Sequence, residues 1–439
     1  MKNLKFIFLT LFLAVFAWSG PLGAAEMAGM KMESSEALAT IYLTLSKAEA
    51  MALQGNPHIH AADKRAEAAG KQSLQTLAPA DPMFMVERDG ENNSPLNLNG
   101  PGVNTWMVSE DLGFPGKSFA KVDVDNAETG KQRAAAKEMR REILLQTRQT
   151  FWDFYYRQKI YDVEADAQKQ WQSLSQSLKS RELTGQWLSM KTVRAQLEIA
   201  NATNDLFTSS QALEVSRVNF NHLFSLPHET SYILKEIPNL APLSKPVQDY
   251  IQTAMDHNPM VEAAQRDLDK AGAEAHVAAL SHLPDFNVRF MGVRNPEDTD
   301  FASYGIRVGV SIPLFFPIKQ TQAADQADDQ VDASKYELTG ARNETTHRVE
   351  EAYESAQASW RLWKLYEEGG LLKQAERAWK ATQAAYRNEQ IPLSDFVDNY
   401  NMYLDTLKSY YKVQADYGKA LADMDYQIGS LPVSGKEKE

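Results

Sequence analysis

The segment from Tyr304 to Lys319, YGIRVGVSIPLFFPIK, most constrains what this chain can fold into. Its apolar residues Tyr304, Ile306, Val308, Val310 and Ile312 alternate with small or polar ones. This period of two predicts a β-strand with one apolar face. Pro317 comes next, and at Lys319 a long Ala- and Gln-rich segment typical of a helix begins. The predicted order is therefore strand, proline corner, long helix.

A similar segment occurs earlier, from Asn104 to Lys117, NTWMVSEDLGFPGK. Pro115 and Pro317 lie 202 positions apart, and the same offset without a gap carries Asn56-Pro57 onto Asn258-Pro259. A match of this length without gaps indicates a tandem duplication of about 200 residues, so that each half is one structural unit. The predicted fold class is mixed α+β, mainly α, with a helix, a β-hairpin, a long helix and a further helix in each half.

This repeat divides the chain into six predicted segments. They are a signal peptide (1–25), an N-terminal extension (26–43), a first repeat (44–228, hairpin at about 83–110), a linker (229–245), a second repeat (246–432, hairpin at about 285–313) and a C-terminal tail (433–439).

The N-terminus has the pattern of a secretory signal peptide. Lys2 and Lys5 precede the apolar run from Phe6 to Trp18, and small residues follow up to Ala25. No later run approaches the roughly 20 apolar residues of a spanning helix. The chain has no cysteine, which excludes disulfides and an anchor attached through a cysteine. We expect an exported protein of the periplasm or outer membrane.

Composition and motifs exclude several functions. The net charge is −12, whereas nucleic-acid binding requires clustered Lys and Arg. The acidic balance fits either a solvated surface or a channel that prefers cations. The sequence lacks GxSxG, HExxH and CxxC, and the segment Gly116-Lys117-Ser118 lacks the first glycine of a phosphate-binding loop because Asp111 stands there. We therefore expect neither an enzyme nor a bound cofactor.

Long helices follow each predicted hairpin. From Lys117 to about Leu183 no proline interrupts the pattern, and at 1.5 Å per residue this makes a rod of roughly 100 Å. Apolar residues spaced by threes, fours and sevens predict a coiled-coil-like seam in two runs, first Leu144, Phe151, Phe154, Tyr161 and Ala165, and then Trp171, Leu174 and Leu178. In the second half, a break at Asn388 to Leu393 precedes a helix for which Ser394 is the predicted N-cap.

Each chain thus supplies four strands, too few to close a barrel, so several chains must pool strands if these face lipid. The duplicated unit, the Asn-Pro near the start of each repeat and the proline corner after each hairpin resemble the TolC family of outer-membrane efflux factors, somewhat more its heavy-metal branch than its drug branch. The resemblance implies a homotrimer with a twelve-stranded barrel in the outer-membrane lipid and an α-helical barrel across the periplasm. It further implies docking on a periplasmic adaptor protein and an inner-membrane pump.

The chain departs from this family in two respects. Many members carry a lipidated N-terminal cysteine, which is absent here. The first-copy strands also contain Glu87, Arg88, Asp89 and Glu110, which we expect at the membrane interface or along the lumen.

The resemblance assigns roles to three groups of residues. Tyr304, Ile306, Val308, Val310 and Ile312 would face lipid, and the turns with Gly185, Gln186, Glu389 and Gln390 would contact the adaptor. Asp395 and Asp398 fall on the family's paired aspartates at the periplasmic aperture. Lys191 and Arg194 occupy the matching positions of the first repeat, so the two halves offer opposite charges there.

Met27, Met30 and Met32 in the N-terminal extension are candidate thioether ligands for Cu(I) or Ag(I), or incidental residues of a polar tail. Two alternative functions share parts of the pattern. One is an outer-membrane channel for protein or peptide secretion of type I, which would have the same architecture. The other is a periplasmic structural coiled-coil protein, which would not need hairpins with an apolar face.

Overall fold

The computed structural model describes residues 40–89, 103–182, 189–294 and 303–430. Within these ranges the chain forms nine helices: α1 (Leu45–Gly55), α2 (Pro57–Leu77), α3 (Pro115–Glu182), α4 (Ser189–Phe224), α5 (Val247–His257), α6 (Pro259–Leu280), α7 (Gln320–Glu367), α8 (Leu371–Arg387) and α9 (Leu393–Gln427). The strands of the same ranges are β1 (Thr40–Leu43), β2 (Met83–Asp89), β3 (Val103–Leu112), β4 (Ser231–Leu234), β5 (Asp285–Arg294) and β6 (Ser303–Ser311). The chain is mixed α+β and mainly helical, as predicted.

Four strands form one antiparallel sheet in the order β2-β3-β5-β6. The two predicted hairpins are confirmed as β2-β3 and β5-β6, and they pair with each other through β3 and β5. Within the described chain, β2 and β6 each have a strand on one side only. The sheet therefore ends in two edges with free backbone donors and acceptors.

The register sorts the side chains of this sheet onto two different faces. Val108 lies opposite Phe290, and Phe290 lies opposite Ile306, which puts these residues on one apolar face. Further members of this face are Phe84, Val86, Trp106, Leu112, Phe286, Val288, Tyr304, Val308 and Val310. The other face carries mostly polar or small side chains, among them Glu87, Asp89, Thr105, Ser109, Asp111, Asn287, Arg289, Arg307 and Ser311.

The charged residues of the first hairpin follow the same division. Glu87 and Asp89 lie on the polar face, whereas Arg88 and Glu110 lie on the apolar face near opposite ends of the strands. Arg88 is paired with Asn104, which is paired with Arg294, so these three residues form a polar row across the loop end of the apolar face.

The helices continue from the opposite end of the strands. Helix α3 has 68 residues, a rod of roughly 100 Å, and it packs against α2, α4, α6 and α9. Helix α9 also packs against α7 and α8. Within the described ranges, none of the helices combines the length and the apolar character that crossing a membrane requires.

Two aromatic clusters hold α3 to its neighbours. One joins Phe154 to Phe220 and Tyr232, with Phe154 and Phe220 ring centroids 5.4 Å apart. The other surrounds Trp171. Between them the predicted seam is wrong at Tyr161 and Ala165, which are only half-buried, since the buried apolar residues there are Val163 and Ala167. A helix of 3.6 residues per turn drifts away from a strict seven-residue repeat, so the buried stripe shifts along so long a helix.

A second, two-stranded sheet lies where the sequence predicts an irregular extension and linker. Strands β1 and β4 pair in parallel over Thr40–Leu43 and Ser231–Leu234. Leu43 is fully buried and Tyr232 nearly so, both in the first aromatic cluster. Burial of these side chains stabilises a pairing between segments that are about 190 residues apart.

The two Asn-Pro pairs make corresponding contacts in the two halves. The side-chain oxygen of Asn56 accepts from the N–H of His58 (2.9 Å), and that of Asn258 accepts from the N–H of Met260 (2.8 Å). The side-chain amide of Asn56 donates to the Leu223 carbonyl (3.1 Å), and that of Asn258 donates to the Gln427 carbonyl (2.6 Å). Each asparagine therefore caps a helix and ties it to the end of the last helix of its half. The run of helix-forming residues from Ser46 to Leu77 is divided into two helices, because Asn56 ends α1 and caps α2.

The contact between Gly418 of α9 and Trp152 of α3 gives a test of this packing. A Cβ on Gly418 would overlap the indole ring of the buried Trp152. We expect Gly418→Ala to destabilise the folded chain by about 2 kcal/mol or more through overpacking, measured as a lower thermal midpoint. Gly340→Ala in α7 is the matched control: a Cβ there meets nothing within 4 Å, so alanine should stabilise by up to about 1 kcal/mol. Equal midpoints for the two variants would contradict the close α3–α9 contact.

Candidate functional site

A clamp of one lysine and one aspartate fixes the helices to the sheet. Lys117 in the first turn of α3 donates to Oδ1 of Asp285 (2.9 Å) and to the carbonyl of Leu283 (2.7 Å). The same Asp285 oxygen accepts from the N–H of Phe114 (3.0 Å). These contacts tie the corner after the first hairpin to the first residue of the second hairpin. The sequence indicates Lys117 only as a helix-start residue, since its partner lies 168 positions away.

Asp395 and Asp398 lie on the exposed side of the first turns of α9. Asp405, which is also exposed, continues the same stripe roughly 15 Å further along the helix. Between them, Asp398, Asn401 and Asp405 line an open groove of about 460 Å³ together with Tyr366, Met402, Thr406 and Ser409. The structure thus extends the predicted pair of carboxylates into an acidic face of α9, and Asp405 is the residue that the sequence reasoning missed.

The opposite side of the same turns is firmly packed. Leu393, Val397 and Tyr400 are buried against α3 and α8. The Tyr400 ring stacks on Trp379 with centroids 4.3 Å apart, and burial raises the pKa of the Tyr400 hydroxyl. The acidic face is therefore held on a rigid helix start.

The basic residues of the first repeat lie on α4. Lys191 and Arg194 are exposed, and Nε of Arg194 is 3.1 Å from Oε1 of Glu198 on the same helix. In the part of the chain that the structure describes, no ion pair joins Lys191 or Arg194 to Asp395 or Asp398. Helix α3 packs against both α4 and α9.

The start of α9 corrects one prediction. The helix begins at Leu393, so its N-cap is Pro392 rather than Ser394. The Ser394 hydroxyl instead donates to Oδ1 of Asp395 (3.1 Å). Because Pro392 has no side-chain acceptor, the first turn is stabilised by the Asp395 carboxylate near the positive end of the helix dipole.

The turn between α8 and α9 contains Glu389 and Gln390, both exposed. Glu389 has a φ of 59°, and the N–H of Gln390 donates to the carbonyl of Ala385 (2.9 Å). This is the left-handed helix ending that glycine usually provides. Glu389 adopts this backbone conformation although it is not a glycine.

Other predicted site residues are distributed as follows. Tyr304, Ile306, Val308, Val310 and Ile312 are all exposed in the single chain, by 51 to 81%. Gly185, Gln186, Met27, Met30 and Met32 lie outside the described residues. Among the described residues, no group of three or more His, Cys, Asp or Glu side chains is placed to hold a metal ion.

Parts of this chain are similar in sequence to known proteins. Residues 250–429 match the family model described as outer membrane efflux protein. Over these residues the chain is similar to the outer membrane efflux proteins. It is 29% identical over 157 residues to the cobalt-zinc-cadmium resistance protein CzcC of Cupriavidus metallidurans, a match that covers 34% of this chain and 35% of CzcC. The chain thus matches about a third of the length of this curated relative.

Two solved structures share the fold over about nine-tenths of this chain. A membrane protein from Pseudomonas aeruginosa superimposes with a TM-score of 0.76 at 14% identity, covering 90% of this chain and 93% of that one. The Campylobacter jejuni CmeC outer membrane channel gives 0.75 at 14% identity, covering 90% of each chain. The outer membrane efflux proteins that residues 250–429 match are channels and not enzymes.

Proposed function

We propose that this protein is the outer-membrane channel of a tripartite efflux system and that it assembles as a homotrimer. The observation that carries the proposal is the four-stranded sheet, which combines one apolar face with two unpaired edges. In a membrane such edges must be paired, and four strands cannot close on themselves. Three copies supply twelve strands, and the helices of roughly 100 Å then extend the passage across the periplasm.

The division of side chains supports this placement. The apolar face would contact lipid, with Tyr304, Ile306, Val308, Val310 and Ile312 on its β6 side, and the polar face would line the lumen. The row of Arg88, Asn104 and Arg294 then lies at the outer boundary of the apolar band, where polar headgroups begin. Glu87 and Asp89 fall on the lumen side, where charged residues are tolerated.

The corresponding roles of Asn56 and Asn258 support the tandem duplication. Each caps a helix and reaches the end of its own half through a buried or half-buried amide. A duplicated chain in a trimer gives a ring of six similar units, which suits a closed barrel of helices.

The helix turns far from the sheet are the proposed contact with a periplasmic adaptor, which connects the channel to an inner-membrane pump. Glu389 and Gln390 are exposed at such a turn. We expect Glu389→Lys with Gln390→Arg to abolish pump-dependent resistance while the trimer stays intact, since charge reversal disrupts a complementary contact. Lysine at position 389 has the same energetic cost in the left-handed backbone conformation as glutamate. Glu389→Gly removes this cost and is therefore the control for turn geometry. Resistance equal to that of the parent chain in the double variant would contradict adaptor contact at this turn.

The cargo class that we propose is heavy-metal cations, because CzcC is a resistance protein for cobalt, zinc and cadmium. Deleting the gene should lower tolerance to such cations in growth assays, and the intact gene should restore it. Unchanged metal tolerance together with lost peptide export would support the secretion channel instead.

A further inference from the structure

We propose that Met85, Met107 and Met291 form a thioether site for a soft monovalent cation, Cu(I) or Ag(I), on the polar face of the sheet. The placement of this face along the lumen rests on the proposed function. The three residues come from three adjacent strands of both hairpins, so the sequence alone does not bring them together.

The strand register carries the inference. Met85 of β2 lies directly opposite Met107 of β3, and Met107 lies directly opposite Met291 of β5. Directly opposed residues have Cβ atoms about 4.5–5.5 Å apart. A methionine side chain is long and flexible, so neighbouring sulfurs at this spacing can turn toward one ion.

The fourth position of this row is a glycine. Gly305 of β6 lies opposite Met291, and a Cβ built on it would be 3.8 Å from the Met291 sulfur. The Met291 side chain, which is half-buried, therefore lies over Gly305, where no side chain blocks its movement. Met107 in the middle of the row is 7% exposed and Met85 is 44% exposed, so the row has a buried centre and an accessible edge.

Charged side chains lie next to the three methionines on both sides along this face. One register step toward the helices, Arg289 lies opposite Arg307. One step toward the hairpin loops, Glu87 lies opposite Thr105, with Asp89 beyond it. The methionines therefore lie between two arginines and two acidic residues, on a face that also carries Val293 and Val103.

The type of ligand determines which metal ion the site prefers. Thioethers are soft and uncharged, so they select Cu(I) and Ag(I) over harder divalent cations such as Zn²⁺ or Co²⁺. Because the ligands carry no charge, the site holds its ion by softness alone. Such a site suits brief binding during passage toward the two acidic residues, not storage.

The test is titration of the purified detergent-solubilised trimer with silver nitrate in chloride-free buffer, followed by calorimetry and by X-ray absorption at the silver edge. Met107→Leu and Met291→Leu, which keep size and apolar character, should each weaken Ag(I) binding at least tenfold and remove sulfur neighbours from the spectrum. Met402→Leu, an exposed methionine of α9, is the matched control and should bind as the parent does. A triple variant with leucine at Met27, Met30 and Met32 measures how much of the silver binding is due to the N-terminal segment.

Parent-like silver affinity in Met107→Leu and Met291→Leu would overturn the site, as would a loss confined to the triple variant. Measuring the oligomeric state of each sample distinguishes a failure of the silver site from a failure of the proposed trimer. A trimer without this silver site refutes the present inference alone. Silver binding through Met107 in a protein that stays monomeric supports the site and refutes the proposed assembly.

Discussion

Replacing Asp395 and Asp398 together by asparagine is expected to raise the single-channel conductance several-fold and to weaken block by a trivalent cation. We propose that in this trimer the exposed first turns of α9 bring six of these carboxylates to one narrow entrance. Converging carboxylates attract a multivalent cation strongly, and the bound cation obstructs the pore. Asparagine keeps the shape of the side chain, so the change isolates the charge. The measurement is conductance in planar bilayers with and without the trivalent cation.

Controls for this experiment come from the same helices. Asp405→Asn lies on the same face but farther along α9, and it should change trivalent block much less. Loss of Asp395 weakens the helix-dipole interaction by only about 0.3–1 kcal/mol, and the buried Val397 and Tyr400 hold the turn, so the trimer should persist. Conductance and block equal to those of the parent protein would mean that the two aspartates serve only the helix start.

Lys191 offers a further check on opposite charges at the entrance. Arg194 already has an ion-pair partner in Glu198, which leaves Lys191 as the sharper probe of pairing between subunits. If Lys191 pairs with an aspartate of a neighbouring subunit, Lys191→Gln should raise conductance as the aspartate variants do.

Arginine at Val308 is expected to prevent accumulation of trimers in the membrane. Val308 lies in the middle of β6 on the apolar face, opposite Val288. A lipid-facing arginine near the bilayer midplane costs about 2–4 kcal/mol, and a trimer contains it three times. The measurement is the yield of heat-sensitive trimer from outer membranes.

Gly309→Arg provides a control that places the same residue one position along the same strand. Gly309 lies opposite Asn287 on the polar face, and a Cβ there makes only ordinary contact at 3.8 Å. The trimer yield of this variant should stay near that of the parent. Equal loss in both variants would contradict the assignment of the two faces.

Local pattern was sufficient to predict much of this fold. The alternation in Asp285–Arg294 and after Ser303 marks both strands of the second hairpin, because a sheet with one apolar face imposes a period of two. Both ends of α3 and the start of α9 fall within a few residues of the predicted positions, since prolines and glycines interrupt helices locally. The N-cap was wrongly predicted at Ser394 because the helix begins one residue earlier, so that Pro392 occupies the cap position.

Contacts between distant segments were not predictable from one sequence. The parallel pair β1-β4, the Lys117–Asp285 clamp and the methionine row each depend on register or on burial between segments that the chain brings together only when folded. The exposed acidic stripe beyond Asp398 was missed for a different reason. Its third member, Asp405, belongs to no motif, and only its exposure beside Asp398 distinguishes it from an ordinary helix-surface aspartate.

The strand edges provide the most direct test of the trimeric channel. In the chain, β3 pairs with β5 so that Ser109 lies opposite Arg289 and Glu110 lies opposite Val288. If β6 of one copy pairs with β2 of the next in the same way, the 202-residue offset places Ser311 opposite the neighbouring Glu87 and Ile312 opposite the neighbouring Val86. The chain has no cysteine of its own, so two introduced cysteines report on this edge alone.

The decisive measurement is therefore disulfide formation in outer membranes by Ser311→Cys with Glu87→Cys, and separately by Ile312→Cys with Val86→Cys. Both pairs are tested because directly opposed residues alternate between close and wider spacing along an antiparallel ladder. At least one pair should give a covalent trimer on a non-reducing denaturing gel. Gly309→Cys with Glu87→Cys is off register by two residues, beyond the Cα separation of about 7 Å that a disulfide spans, and should not. Monomers alone from both matched pairs, or a disulfide closed within one chain, would contradict the trimeric barrel.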